Sequence, residues 1–340
     1  MGGVTERTDA RAADASGGRP GSSSPREGQT FGGESLAVRF ASLVKLPHTL
    51  FALPFAGMGA VLASYQFPHA ITLGAILWIV IAFTAARFAA MAFNRIVDRR
   101  LDALNPRTRA RELPSGRLTV RQAVIGVLAA AALFVFAAWH LNPLCGMLAP
   151  LALGWVFFYS YTKRFTALSH HVLGSALGIA PVGAYLAISA TWTDPWYALV
   201  VLAAGVTFWV AGFDVIYAVQ DIAFDRSQRL HSLAAKLGPA HALTVARLFH
   251  LLALGLFFAL WALQLFPVGW IYLGGIGVAV FLLAYEHWVV RDAARGALDL
   301  RRIDRAFFHA NVAVSISLLL FTLTDRLLTV APSLIAVPPP

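Results

Sequence analysis

The sequence predicts an all-α integral membrane protein, with nine transmembrane helices in one bundle. Three observations carry this. Apolar residues make up 58% of the 340-residue chain and charged residues only 13%, with a mean hydropathy of +0.68; soluble domains average about 25% charged residues. The apolar residues gather in nine runs, each close to the length that crosses a hydrocarbon core, about 20 residues. Lys and Arg fall in every second loop, as in a chain threaded back and forth through a membrane. Those loops also account for the net charge of +10, so a nucleic-acid partner is not expected.

From the N-terminus, residues 1–35 are rich in Gly, Ser, Arg and Asp and hold no apolar stretch, which predicts a disordered tail. They lack the apolar h-region of a signal peptide, so no processed periplasmic form is expected. The spans follow at about 42–65, 71–94, 119–139, 144–161, 171–190, 197–220, 241–263, 269–290 and 307–326. Pro and Gly interrupt the fourth and fifth. Residues 36–326 form one membrane domain, and 327–340 a short C-terminal tail. Cys145 is the single cysteine, which excludes an internal disulfide and fits packing in an apolar run.

The loops fix the orientation. Residues 95–118 include Arg95, Arg99, Arg100, Arg107, Arg109, Arg111 and Arg117, and 162–170 include Lys163 and Arg164. Residues 221–240 carry Arg226, Arg229 and Lys236, and 291–306 carry Arg291, Arg295, Arg301, Arg302 and Arg305. The loops near 66–70, 140–143, 191–196 and 264–268 have neither Lys nor Arg. An excess of Lys and Arg marks the cytoplasmic side. The N-terminus then lies inside and the C-terminus outside, in a bacterial inner membrane.

Two acid-rich stretches end long apolar runs. NRIVDRRLD gives Asn94, Asp98 and Asp102, and DVIYAVQDIAFD gives Asp214, Asp221 and Asp225. The first three stand at i, i+4 and i+8, one face of a helix; Asp221 and Asp225 repeat the i, i+4 step, with Tyr217 a turn from both Asp214 and Asp221. Carboxylates beside a bilayer core are costly, and their presence there points to function. Each helix offers a column of oxygen ligands, which suits Mg2+ shared with a substrate's phosphate oxygens. A softer metal would want His or Cys. Paired columns on one membrane face point to an enzyme acting on a lipid diphosphate; solvated helix ends paired with neighbouring arginines are the plain alternative.

The basic residues largely follow the loop rule. Lys163 and Arg164 stand out, because they follow FYSY directly at a helix end where they can clamp a diphosphate. Arg39 and Lys45 flank the first span, where the loop rule explains them better than a meeting with an acidic acceptor does. In the loop after Asp102, Asn105-Pro106 and Pro114-Ser115-Gly116 are turn chemistry, and Thr119 with Gln122 forms a capping box opening the third span. The basic segment between can fold over the site as a lid that keeps water from an allylic cation. His48, His250 and His309 are expected to pack in or beside spans, and adjacent His170 and His171 make a poor metal pair. Glu286-His287 is expected to form a polar contact between helices.

At this point the motifs resemble a known family. NRIVDRRLDALNPRTRARELPSGRLT is similar to the first signature of UbiA-type membrane prenyltransferases, and DVIYAVQDIAFDRSQRLHSLAAKLG to the second. KLPHTLFALPFAG and YSYTKRFTALSHHVLG are similar as well, and the resemblance runs from about residue 36 to 326. It implies nine helices around a central cavity under a cytoplasmic cap. It implies that Asn94, Asp98, Asp102, Asp221 and Asp225 hold the diphosphate through Mg2+, that Lys163 contacts the diphosphate, and that Asp214 and Tyr217 line the site. Asn94, Lys163, Arg164 and Arg109 are the expected diphosphate-binding residues, and Asp98, Asp221, Asp214 and Tyr217 the expected catalytic ones. Arg95 follows Asn94 directly, where many relatives have Asp. The implied reaction moves a polyprenyl group from a polyprenyl diphosphate to an aromatic carboxylate in quinone biosynthesis. The pattern most resembles the 4-hydroxybenzoate polyprenyltransferase-like branch, with 1,4-dihydroxy-6-naphthoate on the futalosine route to menaquinone as the other acceptor. A transporter would place its ionisable residues near the bilayer midplane rather than at one face. An accessory family member would have lost its acid columns.

Overall fold

The computed structural model describes residues 33, 35–45, 52–291 and 306–335, and every regular element among them is helical. In chain order these are α1 Leu36–Leu43, α2 Leu53–Ser64, α3 Leu73–Leu104, α4 Val120–Leu141, α5 Pro143–Thr162, α6 Ser169–Ser189, α7 Tyr197–Ala218, α8 Ile222–Ser227, α9 Leu233–Ala262, α10 Trp270–Val290 and α11 Asn311–Ile335. Among the described residues, eight helical stretches are long and apolar enough to cross a membrane, and α2 is a shorter apolar helix. The protein is an all-helical membrane bundle, as the apolar runs predict. The 1–32 tail, His48 and the loop arginines Arg295, Arg301, Arg302 and Arg305 lie outside the described residues.

The helices begin where the sequence supplies side-chain caps. Ser35, Thr72, Asn142 and Ser232 accept from backbone N–H groups at the starts of α1, α3, α5 and α9. Thr119 and Gln122 make the expected reciprocal box at α4. Pro150 and Pro181 do not break α5 and α6, because close-packed neighbouring helices hold a proline-bearing helix together in a membrane. The first predicted span is divided between α1 and α2, with 46–51 outside the described residues. The last span extends past 326, since α11 continues to Ile335 after a π-helical turn at Ala306–Ala310.

Small residues set the packing. With lipid as apolar as leucine, helices associate where backbones approach closely. A Cβ on Gly59 would stand 2.0 Å from the Pro181 carbonyl oxygen, and one on Gly174 would stand 2.2 Å from that of Thr207. The α2–α6 and α6–α7 seams are therefore tight. Helix α7 lies between α6 and α9 and is the most buried span, with Leu202, Val206, Trp209 and Val210 fully enclosed. Helix α11 packs on both α10 and the short helix α2, bringing the end of the bundle back to its start.

Candidate active site

Helix α3 has 32 residues, which is about 48 Å at 1.5 Å per residue. That exceeds a hydrocarbon core of about 30 Å, so its last turns stand clear of the core and carry Asn94, Asp98 and Asp102 on one face. Asn94 Nδ2 donates to Asp98 Oδ2 at 3.1 Å. Helix α7 carries Asp214 and Tyr217, then tightens into a 3-10 turn at Val219–Asp221 before α8 presents Asp225. The first column is thus an unbroken helix and the second a helix with a tightened turn.

Basic residues from the intervening loops join the columns. Arg107 grips Asp221 with two bonds, Nε to Oδ1 at 3.1 Å and Nη2 to Oδ2 at 2.6 Å, while its Nη1 donates to Tyr217 Oη at 2.8 Å. Burial works against the Arg107 charge, but Tyr217 and Asp221 outweigh it and raise its pKa. Asn105 Nδ2 adds a bond to Asp221 at 3.2 Å. Arg111 pairs with Asp102 at 2.7 Å, and Arg95 approaches the other Asp102 oxygen at 3.9 Å. Burial, with Arg95 nearby, pulls Arg111 down to about 10. The loop after α3 therefore crosses to α7 and covers the site, as the lid reading expects.

The end of α5 closes the arrangement from the other side. Arg164 Nη2 binds Asp98 Oδ1 at 2.8 Å, and Lys163 Nζ stands 3.1 Å from Asp225 Oδ1. Arg109, by contrast, is exposed and has no side-chain bond or ion pair among the described residues. Asn94, Asp98, Asp102, Asp214, Tyr217, Asp221, Asp225, Lys163 and Arg164 thus gather at one end of the bundle, and Arg109 stands at its rim.

Below the acids lies a cavity of about 630 Å³. Its polar end is lined by Asn94, Arg95, Arg111, Tyr159, Asp214 and Tyr217, and its long wall by apolar residues such as Ile79, Phe83, Phe134, Leu148 and Leu177.

The oxygen donors fit magnesium. Asp225 is fully buried, and neither of its oxygens receives a hydrogen bond beyond the Lys163 ion pair; Asp102 Oδ2 is likewise buried without a donor. Among the described residues, no three His, Cys, Asp or Glu side chains form a metal cage by themselves. That suits an ion that takes part of its coordination from substrate oxygens and water.

Several site residues escape sequence reasoning. Arg107 and Asn105 read as loop charge and turn chemistry. His170 Nδ1 lies 2.6 Å from Asp214 Oδ2, a partnership nothing in its sequence neighbourhood signals. Arg87 lines the cavity from the interior of α3, and an arginine inside an apolar span was the available signal.

Residues 52–312 match the UbiA prenyltransferase family. The chain belongs to that family. It is an integral membrane prenyltransferase, as the two acid signatures led us to expect. A 4-hydroxybenzoate octaprenyltransferase of Idiomarina loihiensis is 32% identical over 239 residues, covering 68% of this chain and 80% of that protein. One from Methylobacillus flagellatus is 32% identical over 241 residues, covering 70% and 77%. The apo structure of a UbiA homolog from Aeropyrum pernix K1 superposes with a TM-score of 0.72 at 33% identity, covering 82% of this chain and 98% of that one. A UbiA homolog from Archaeoglobus fulgidus bound to GPP and Mg2+ shares the fold, with a TM-score of 0.61 at 17% identity, covering 85% and 99%.

Proposed function

We propose that this protein transfers a polyprenyl group from a polyprenyl diphosphate to an aromatic carboxylate in quinone biosynthesis, with 4-hydroxybenzoate as the acceptor. The observation that carries the reading is one juxtaposition: two carboxylate columns, paired with Arg107, Lys163 and Arg164, stand at the polar mouth of a long apolar cavity. The names of the relatives at 32% identity favour this acceptor. The cavity wall, where Lys45, Arg87, Arg95 and Arg111 supply positive charge, suits an aromatic carboxylate of either kind.

Magnesium bound by Asn94, Asp98, Asp102, Asp221 and Asp225 would neutralise the leaving diphosphate. Lys163 and Arg164 exchange their carboxylate partners for diphosphate oxygens as the substrate arrives, with Arg109 available from the rim. Arg107, tied to Tyr217 and Asp221, holds the covering loop against α7 and excludes water from the allylic cation. The apolar wall receives the prenyl chain. Asp214 and Tyr217 stand at the boundary between diphosphate and acceptor. Lining up donor and acceptor there supplies catalysis by positioning, without a covalent nucleophile. The face bearing the site carries the loop arginines, which supports a cytoplasmic active site in a bacterial inner membrane.

The test is an assay of membranes with Mg2+, a radiolabelled polyprenyl diphosphate, and 4-hydroxybenzoate or 1,4-dihydroxy-6-naphthoate in turn. Labelled product is expected with 4-hydroxybenzoate and is expected to vanish on chelation. Product with the naphthoate alone would overturn the acceptor, and no product with either would overturn the acceptor class.

A further inference from the structure

Three features of α6 and α7 bear on Asp214, which lines the cavity at its polar end. The first is the 2.6 Å contact between His170 Nδ1 and Asp214 Oδ2, with the His170 side chain only 3% exposed. The second is the state of the remaining atoms. Asp214 Oδ1 bonds to no protein donor among the described residues, and His170 Nε2 is buried without a partner. His170 itself stays behind the carboxylate, off the cavity wall, so it meets the cavity through Asp214 alone.

The third feature is the seam that makes the contact. His170, Gly174 and Gly178 fall at i, i+4 and i+8, on one face of α6. A Cβ on Gly178 would lie 2.7 Å from the Ala203 carbonyl oxygen, and one on Gly174 2.2 Å from that of Thr207. Ala203, Thr207 and Asp214 follow the matching rows of α7. The two glycines let the backbones touch, and the next position along that face, one turn on, sets the imidazole against Asp214. The register of a glycine seam thus determines the direction in which one carboxylate points.

We infer that His170 is the positioning residue of this site, holding Asp214 by Oδ2 so that Oδ1 faces the cavity as the proton acceptor for the hydroxyl of an aromatic substrate. This deepens the proposed function and rests on it. In the step, the hydroxyl O–H bond breaks and its proton passes to Asp214 Oδ1, while the oxygen's electron pair enters the ring. The neighbouring ring carbon bonds to the allylic carbon, and the diphosphate leaves with the electrons of the C–O bond. The ring proton then goes to the departing diphosphate, and the Asp214 proton returns to the oxygen. Atoms and charge balance with no further reactant. A carboxylate free to rotate would present either oxygen, so fixing it serves the proton transfer and not prenyl binding.

The experiment compares His170→Asn with His170→Leu in the full-length protein in lipid. The Asn amide nitrogen stands in for Nδ1, while Leu fills the space with no donor. We expect Leu to lower kcat on the order of 10²-fold, the scale of a general-base contribution. KM for the polyprenyl diphosphate should stay unchanged, and Asn should recover most of the rate. Gly174→Leu, which forces the seam apart, should reproduce the loss even with His170 present. A wild-type enzyme that prenylates its acceptor, beside a His170→Leu variant that does so equally fast, would overturn the inference and leave the proposed function standing. Loss in both His170 variants alike would also overturn it, since a merely structural role would not distinguish Asn from Leu. If the wild type prenylates no aromatic acceptor, the proposed function fails and the role of His170 fails with it.

Discussion

The two ends of the bundle both bury charge, but they finish the task differently. At the end opposite the site, Asp325 is 3% exposed and accepts from Tyr65 Oη at 2.6 Å, Gly269 N at 2.7 Å and Tyr272 N at 3.3 Å. Its neighbour Arg326 donates to Ser64 Oγ and to the Ser64 carbonyl. That clasp ties α2, α10 and α11 together and leaves the Asp325 carboxylate satisfied. At the acid-column end, Asp225 Oδ2 and His170 Nε2 are buried without a partner, and Asp225 Oδ1 and Asp102 Oδ2 meet only the charges of Lys163 at 3.1 Å and Arg95 at 3.9 Å. Buried polar groups are normally paired, and an orphan calls for an explanation. The contrast separates a structural polar cluster from a functional one: the first is complete within the protein, and the second is completed by what binds.

The largest break in that comparison is expected from the acid columns. Asp98→Ala or Asp221→Ala should lower prenyl transfer on the order of 10³-fold, with the protein still inserted and folded. Activity near wild type in both would sink the site assignment. Arg107→Ala comes next. It removes two bonds to Asp221 and one to Tyr217 at a stroke, and kcat is expected to fall about 10²-fold. The covering loop should also become easier to cleave with protease; unaltered cleavage would show that Arg107 does not hold it down.

Asp325→Ala probes the other end and should do the reverse. Removing it strands the Tyr65 hydroxyl and two backbone N–H groups, at a cost of about 2–3 kcal/mol. We expect a lower temperature for half-loss of folded protein in detergent, with turnover per folded molecule unchanged. A specific activity that fell as far as that of the Asp221 variant would erase the distinction between the two ends.

What the sequence could convey tracks how local each cause is. Asn94, Asp98 and Asp102 were legible because helical spacing alone puts them on one face; the i, i+4 spacing of Asp221 and Asp225 was legible too, but a 3-10 turn at Val219–Asp221 interrupts the helix it implied. The caps at Thr119 and Gln122 were legible for the same reason, since all their partners lie within one turn. Pro150 and Pro181 did not hide their spans, and neighbours hold such turns: Gly59 of α2 packs against the Pro181 backbone. The divided first span and the 3-10 turn before Asp221 left no pattern in composition. His170 was hidden most deeply. Its partner is 44 positions away, and the contact exists only because Gly174 and Gly178 fix the register of two helices. Arg107 was hidden by its setting in a loop whose arginines all satisfy the positive-inside rule.

The smallest effect we predict lies where a local cause has a local consequence. Thr119 caps α4 by accepting from Gln122 N at 3.2 Å, and the Gln122 side chain accepts from Thr119 N at 3.0 Å. Thr119→Ala removes one half of this box and should cost about 1 kcal/mol. The effect stays small because the rest of α4 is held by its packing on α3 and α5. Yet Thr119 also ends the loop that carries Arg107 and Arg111 across the site. If that loop is anchored mainly by its pairs with Asp221 and Asp102, turnover should not change while thermal stability dips slightly. A fall in kcat approaching that of Arg107→Ala would mean that the start of α4, and not those ion pairs, sets the position of the loop over the site.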